Sequence, residues 1–195
     1  MKKIILATTS PYRQEAFQLA GVEFEAVGSN VEEKFEGRPN NPNELVCELA
    51  KQKALAVAEK FKEGVVVGFD SVGWFNGEIL EKPQSEEEAV LRMQALSGNS
   101  FEFFTGIYLI DVVEKKITQA SVVTKVNMRN ITDDEIKKYL KQDDKFKTYA
   151  VGFDPLGHYS STFAIDIVGS YNNFLRGIPT EHIIEMLKEA GVEIR

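Results

Sequence analysis

The sequence predicts a mixed α/β fold, a twisted sheet with flanking helices, and three observations predict it. Short apolar runs at Ile4–Ala7 and Val65–Phe69 have the length of buried strands rather than helices. Helix-start patterns recur between such runs, at Ser85–Glu88 (SEEE) and Thr132–Glu135 (TDDE). In the middle, Phe101–Val113 and Ala120–Met128 read as two strands joined by a connection too short for a parallel crossover. Helices alternating with strands, plus one antiparallel pair, give a mixed sheet.

Taken in order, the chain opens as strand, turn and helix. Ile4–Ala7 is the strand, and Pro11 suits the first position of a helix capped by Ser10. After a loop rich in turn formers, Glu36–Pro42 (EGRPNNP), the spacing predicts a long helix over Asn43–Phe61. Val65–Phe69 is a buried strand with Asp70 at its carboxyl end. The Ser85 capping box opens a helix to about Leu96, broken by Ser97-Gly98-Asn99. The central strand pair follows, then a helix from the Thr132 box to about Leu140 and a strand at Phe163–Val168. A last helix, about Thr180 to Ala190, stops at Gly191. With no repeat or linker in 195 residues, a single domain over 1–195 is expected.

Composition narrows the function. The chain is 43% hydrophobic and 27% charged, which is ordinary for a globular protein. A net charge of −7 argues against a protein that grips a nucleic-acid backbone, which needs a broad basic face. Cys47 is the single cysteine, and with only His158 and His182 beside it a structural zinc site has no ligand set. The apolar run after Lys2-Lys3 is too short for a signal peptide, and no segment approaches the roughly 20 apolar residues of a membrane span. A cytoplasmic location without membrane partners is the expectation. No G-x-S-x-G elbow, P-loop or G-x-G-x-x-G is present, so Ser–His hydrolases, Walker ATPases and Rossmann oxidoreductases lack their motifs.

Several residues could carry chemistry. Thr8-Thr9-Ser10-Pro11-Tyr12-Arg13 is a strand-to-helix junction, where backbone N–H groups, hydroxyls and a guanidinium suit phosphate oxygens. It equally suits an ordinary capped helix. Asp70, at the end of a strand, reads as a metal ligand or general base, or as a turn aspartate. Lys53 falls on the apolar stripe marked by Val46, Ala50 and Val57, so it must snorkel, pair, or face a polar cleft. Glu32-Glu33 offers a carboxylate, and Lys82-Pro83 a lysine whose chain direction Pro83 fixes.

The order of these signals resembles the Maf family of nucleotide pyrophosphatases. The family's opening LASxSPRR appears as LATTSPYR at Leu6–Arg13, and its V-D-E element as Val31-Glu32-Glu33. L-A-x-x-K-A is matched at Leu49–Ala54, G-x-D-x-V at Gly68–Val72, and the lysine-proline pair at Lys82-Pro83. Leu96-Ser97-Gly98 with Thr105-Gly106 and then Gly177-Ile178-Pro179 complete the series, which spans residue 4 to about 190.

The resemblance implies two lobes around a cleft, related to the inosine triphosphatase fold, and hydrolysis of a nucleoside triphosphate between its α- and β-phosphates. It implies that Asp70 activates water or holds a divalent metal, Mg²⁺ or Mn²⁺, with Glu33 as a second metal ligand. Ser10, Arg13, Lys53 and Lys82 would bind the triphosphate, with Lys53 and Lys82 offsetting transition-state charge. A homodimer is also implied. One branch of the family carries two arginines after Ser-Pro and prefers dTTP and UTP. Tyr12-Arg13 resembles the branch acting on 7-methyl-GTP, whose charged base suits an aromatic partner. Phe103-Phe104-Thr105-Gly106 and Arg129 agree with that branch. Tyr12 and Ser71 stand where the family tunes its substrate, and Asp154 is the nearest polar residue in a loop, Ala150–Gly157, that lacks the usual Gln or Glu. The readings that compete are a dTTP/UTP pyrophosphatase, an inosine or xanthosine triphosphate pyrophosphatase, and a nucleotide-binding regulator without turnover.

Overall fold

A computed structural model describes residues Lys2 to Ile194. The elements are β1 (Ile4–Ala7), α1 (Pro11–Leu19), β2 (Glu25–Ala26), α2 (Pro42–Ala58), β3 (Val65–Phe75), β4 (Glu78–Leu80), α3 (Glu86–Leu96), β5 (Ser100–Asp111), β6 (Ile117–Met128), α4 (Asp133–Leu140), β7 (Ala164–Val168), α5 (Tyr171–Arg176) and α6 (Thr180–Glu189). The sheet has seven strands in the order β2-β1-β3-β5-β6-β7, with β4 on β3. Pairing is parallel at β1–β2 and β1–β3, and antiparallel at β3–β4 and β6–β7, so the predicted mixed sheet is present.

The chain forms two compact units, and β3, β5 and β6 each contribute to both. Unit 1 comprises, of the described residues, 2–71, 105–122 and 176–194. Its strands alternate between two apolar layers. Ile4 and Leu6, Val65, Val67 and Phe69, and Ile107 and Leu109 pack with Phe17 of α1 and with Ile183 and Leu187 of α6. The intervening Ile5 and Ala7, Val66, Tyr108 and Ile110 pack with Ala50, Ala54 and Val57 of α2. This is the period of two that a strand imposes. Unit 2, Val72–Phe104 with Val123–Leu175, is built on α3, α4 and an aromatic cluster in which Phe101, Phe103 and Phe153 each meet Phe174 edge to face.

Three local expectations are corrected. First, β3 does not end before Asp70 but continues to Phe75. There Asn76 and Gly77, both at positive φ (51° and 85°), close a two-residue turn into β4 with Phe75 opposite Glu78. Second, Ser10 occupies the N-cap position of α1, yet its side chain makes no cap hydrogen bond. Third, the Ser85 box is half formed. Ser85 Oγ accepts from the Glu88 N–H, but Glu88 turns its carboxylate to the Gln84 N–H instead of returning it to Ser85. The Thr132–Glu135 box is complete.

Helix α2 lies unusually close to the strands beneath it. A Cβ at Gly68 of β3 would collide with the Ala50 carbonyl and stand 2.7 Å from the Ala54 nitrogen. At Gly106 of β5 it would collide with the Val46 carbonyl and stand 2.7 Å from the Cys47 nitrogen. Backbone meets backbone at both points, so neither contact can be relieved by turning a side chain. Gly68→Ala is therefore expected to lower the unfolding free energy by about 2 kcal/mol or more, as overpacking does. Urea denaturation checks this, and an unchanged midpoint would mean that α2 is not held at this distance.

Candidate active site

The close seating of α2 delivers Lys53. Its helical neighbours on the stripe, Val46, Ala50 and Val57, are fully buried, and the lysine neither snorkels nor stays unpaired. The Lys53 ammonium donates to Asp70 Oδ1 at 2.6 Å and meets Glu33 Oε1, also at 2.6 Å. The side chains of Lys53 and Asp70 are only 12% and 10% exposed, whereas Glu33 is 52% exposed. One cation thus bridges a buried carboxylate and an open one.

Asp70 stands where the strand register ends. The last β1–β3 pair is Ala7 with Gly68, so Asp70 lies two residues past the end of its parallel neighbour while its own strand continues. That is the equivalent of a strand's carboxyl end, where α/β sheets set their reactive groups. Burial pushes the Asp70 carboxyl above its usual range. Lys53 and then Arg13 oppose that shift, and Glu33 adds to it. Glu33 comes from the loop before α2, where its carbonyl accepts from Arg38 Nε at 2.9 Å.

Arg13 approaches β3 beside its odd-numbered residues. Its Nη1 donates to the Phe69 carbonyl (3.3 Å), its Nη2 to Ser71 Oγ (2.9 Å), and its Nε to the Gly177 carbonyl (3.1 Å). The guanidinium carbon lies 5.7 Å from the Phe69 ring centroid. Burial lowers the Arg13 pKa, with Asp70 and Glu33 opposing the change. Ser71 Oγ also shares a hydrogen bond with Thr105 Oγ1 (2.8 Å) and donates to the Gly177 carbonyl (3.3 Å). Thr105 is fully buried and is the residue that sequence reasoning missed. It was visible only as the threonine of Thr105-Gly106, between the apolar stretches Phe103-Phe104 and Ile107–Ile110. Ser10 and Tyr12 open α1, both half-buried, and the Ser10 N–H donates to Thr8 Oγ1.

The structure therefore brings together Glu33, Lys53 and Asp70 directly, and Arg13 with Ser71. Lys82 belongs to unit 2, where it is exposed just after β4. Asp154, also in unit 2, organises its own loop. Its Oδ1 accepts from the Leu156 N–H and its carbonyl from Ser160 Oγ, while its N–H donates to the Tyr139 hydroxyl. Arg129 likewise braces unit 2 through the Thr162 carbonyl and Glu135. A hollow of about 520 Å³ lined by Phe35, Glu44, Cys47, Glu48 and Lys51 lies on the side of α2 away from Lys53 and takes no part in the site.

The donor set admits a divalent cation. Two carboxylates converge on a single cationic atom, and oxygen ligands suit Mg²⁺ or Mn²⁺. Among the described residues no three His, Cys, Asp or Glu side chains cluster, so the protein alone offers a partial shell of the kind Mg²⁺ completes with water and substrate phosphates. Among the same residues no helix is long and apolar enough to cross a membrane.

The chain is similar to known proteins in fold and in sequence. A solved HAM1 protein from Coxiella burnetii superposes with a TM-score of 0.59 at 17% identity, covering 97% of this chain and 100% of that one. Ham1 from Staphylococcus aureus gives 0.54 at 13% identity, covering 98% and 100%. These likenesses establish the fold. A dTTP/UTP pyrophosphatase of Bacillus cereus is 37% identical over 195 residues, covering 100% of this chain and 98% of its own. One of Carboxydothermus hydrogenoformans is 37% identical over 190 residues, covering 97% and 99%. Their names do not support the 7-methyl-GTP branch that Tyr12 suggested. With the family model for Maf-like protein matching residues 3–190, the chain belongs to the Maf-like protein family.

Proposed function

We propose that this chain is a nucleoside triphosphate pyrophosphatase acting on dTTP and UTP, releasing the monophosphate and pyrophosphate. The observation that carries the reading is the Glu33–Lys53–Asp70 bridge, a buried carboxylate with a lysine and a second carboxylate beside it. The substrate class follows the relatives, which are named dTTP/UTP pyrophosphatases over essentially the full length of this chain.

In this reading Asp70 takes a proton from water as the water oxygen attacks the α-phosphorus. The bond from that phosphorus to the bridging oxygen breaks, and pyrophosphate leaves. Lys53 and Arg13 provide positive charge beside Asp70, and Ser10, whose hydroxyl is not used in capping, offers a donor at the N-terminus of α1. Ser71 fixes the backbone next to Asp70 through Arg13 and Thr105. Glu33 and Asp70 would hold a divalent cation, whose chemistry is to neutralise phosphate charge. The roles of Lys82 and Asp154, and a homodimeric state, are carried by the family resemblance alone.

A pyrophosphate-release screen with Mg²⁺ or Mn²⁺ tests the reaction. Release is expected from dTTP and UTP, and Asp70→Asn should lower it by at least about 100-fold, the scale of a general base. Selective release from 7-methyl-GTP would instead restore the branch read from Tyr12. Folded protein releasing nothing from any nucleotide would favour a binding protein.

The pH profile gives a separate test. The base must be ionised, and burial raises the Asp70 pKa. Activity should therefore be complete above that raised value and fall as pH drops through it. The acid limb of kcat/KM is expected above the usual aspartate value of about 4. In the metal-free protein the Asp70 carboxyl, followed by carbon-13 NMR, should itself titrate above that value, and titration at or below it would remove the raised base.

A further inference from the structure

We propose that Lys53 is a built-in counter-cation that occupies the position of the divalent metal until a metal–triphosphate complex displaces it. The inference rests on the reading of Glu33 and Asp70 as the cation-holding pair. Lys53 Nζ lies 2.6 Å from an oxygen of each, so both carboxylates already converge on one positive atom. An ammonium is a compact point charge on a flexible stem, able to fill such a position and to leave it without moving the backbone. Each carboxylate has a second oxygen, but a cation held by those would face the ammonium at short range. Lys53 and Asp70 are nearly excluded from solvent, so little screening would relieve that repulsion.

Exchange resolves the conflict. When the cation arrives with a triphosphate, Lys53 leaves the carboxylates and its charge passes to a phosphate oxygen, so neither the acidic pair nor the phosphate chain is left uncompensated. The open side of the bridge is Glu33, 52% exposed on a loop, and that is the bond expected to break first. The bare protein then binds metal weakly, and the nucleotide is what licenses tight binding.

Mn²⁺ titration followed by electron paramagnetic resonance, without nucleotide, tests this. Lys53→Met keeps the apolar stem and removes the charge, and it should bind Mn²⁺ at least tenfold more tightly than the natural chain. Binding that is equal or weaker overturns the proposal. A second measurement needs no variant. Acetic anhydride labelling of Lys53 in the natural chain, read by mass spectrometry, should rise severalfold as Mn²⁺ approaches saturation, and constant labelling overturns the proposal as well. Pyrophosphate release is scored separately. Exchange without release from any nucleotide sinks the enzymatic reading and leaves the exchange standing, while release without either Lys53 effect does the reverse.

Discussion

Unit 1 depends on the absence of two side chains. Gly68 and Gly106 let the α2 backbone rest directly on β3 and β5, and the Ala50 and Ala54 positions above Gly68 keep that contact small. A helix packed through larger side chains would stand further from the sheet. Lys53 follows Ala50 by three residues, just under one helical turn, and its reach to Asp70 is set by that spacing. The distance of 2.6 Å from ammonium to carboxylate is thus a consequence of backbone packing as much as of charge. Two motif positions that read as mere glycines are what make the polar pair possible.

The pair is costly to bury. Taking a carboxylate and an ammonium out of water is repaid only when geometry and partners are good, and losing one partner leaves a stranded charge. Here the balance stays on the side of burial for Asp70, whose carboxyl is raised despite Lys53 and Arg13. A carboxyl raised in this way is suited to exchange protons with water nearer neutral pH, which is what the proposed base requires.

Much of this was legible in the sequence, for identifiable reasons. The strands β1, β5 and β6 and the helices α2, α3, α4 and α6 carry clear period or cap signals, and the structure has each within a few residues of its expected bounds. Lys53 betrayed itself by interrupting an apolar stripe, and Asp70 by ending an apolar run. That same polar break concealed the rest of β3. The continuation was encoded later, in Asn76-Gly77 between the apolar pairs Trp74-Phe75 and Ile79-Leu80. The two-residue β2 and six-residue α5 are too short to show a period. The branch read from Tyr12, Phe103-Phe104-Thr105-Gly106 and Arg129 is not supported by the names of the relatives, since no one of these residues identifies a base by its own chemistry. The Glu88 carboxylate expected to accept from the Ser85 N–H accepts instead from the N–H one residue earlier, that of Gln84.

Arg13 shows most plainly what the sequence withholds. A strand directs successive side chains to opposite faces, so Phe69 and Ser71 face away from Asp70. Arg13 engages the Phe69 carbonyl and Ser71 Oγ, the residues on either side of Asp70, and ties both to the Gly177 carbonyl just before α6. Its planar fork of donors can serve three acceptors in fixed directions, which a lysine cannot. Each η nitrogen keeps a second N–H, so bracing β3 does not exhaust the group. The motif arginine and the Gly177-Ile178-Pro179 turn, distant in sequence, are two ends of one brace. That brace holds the backbone of β3 still on one face while Asp70 meets Lys53 and Glu33 on the other.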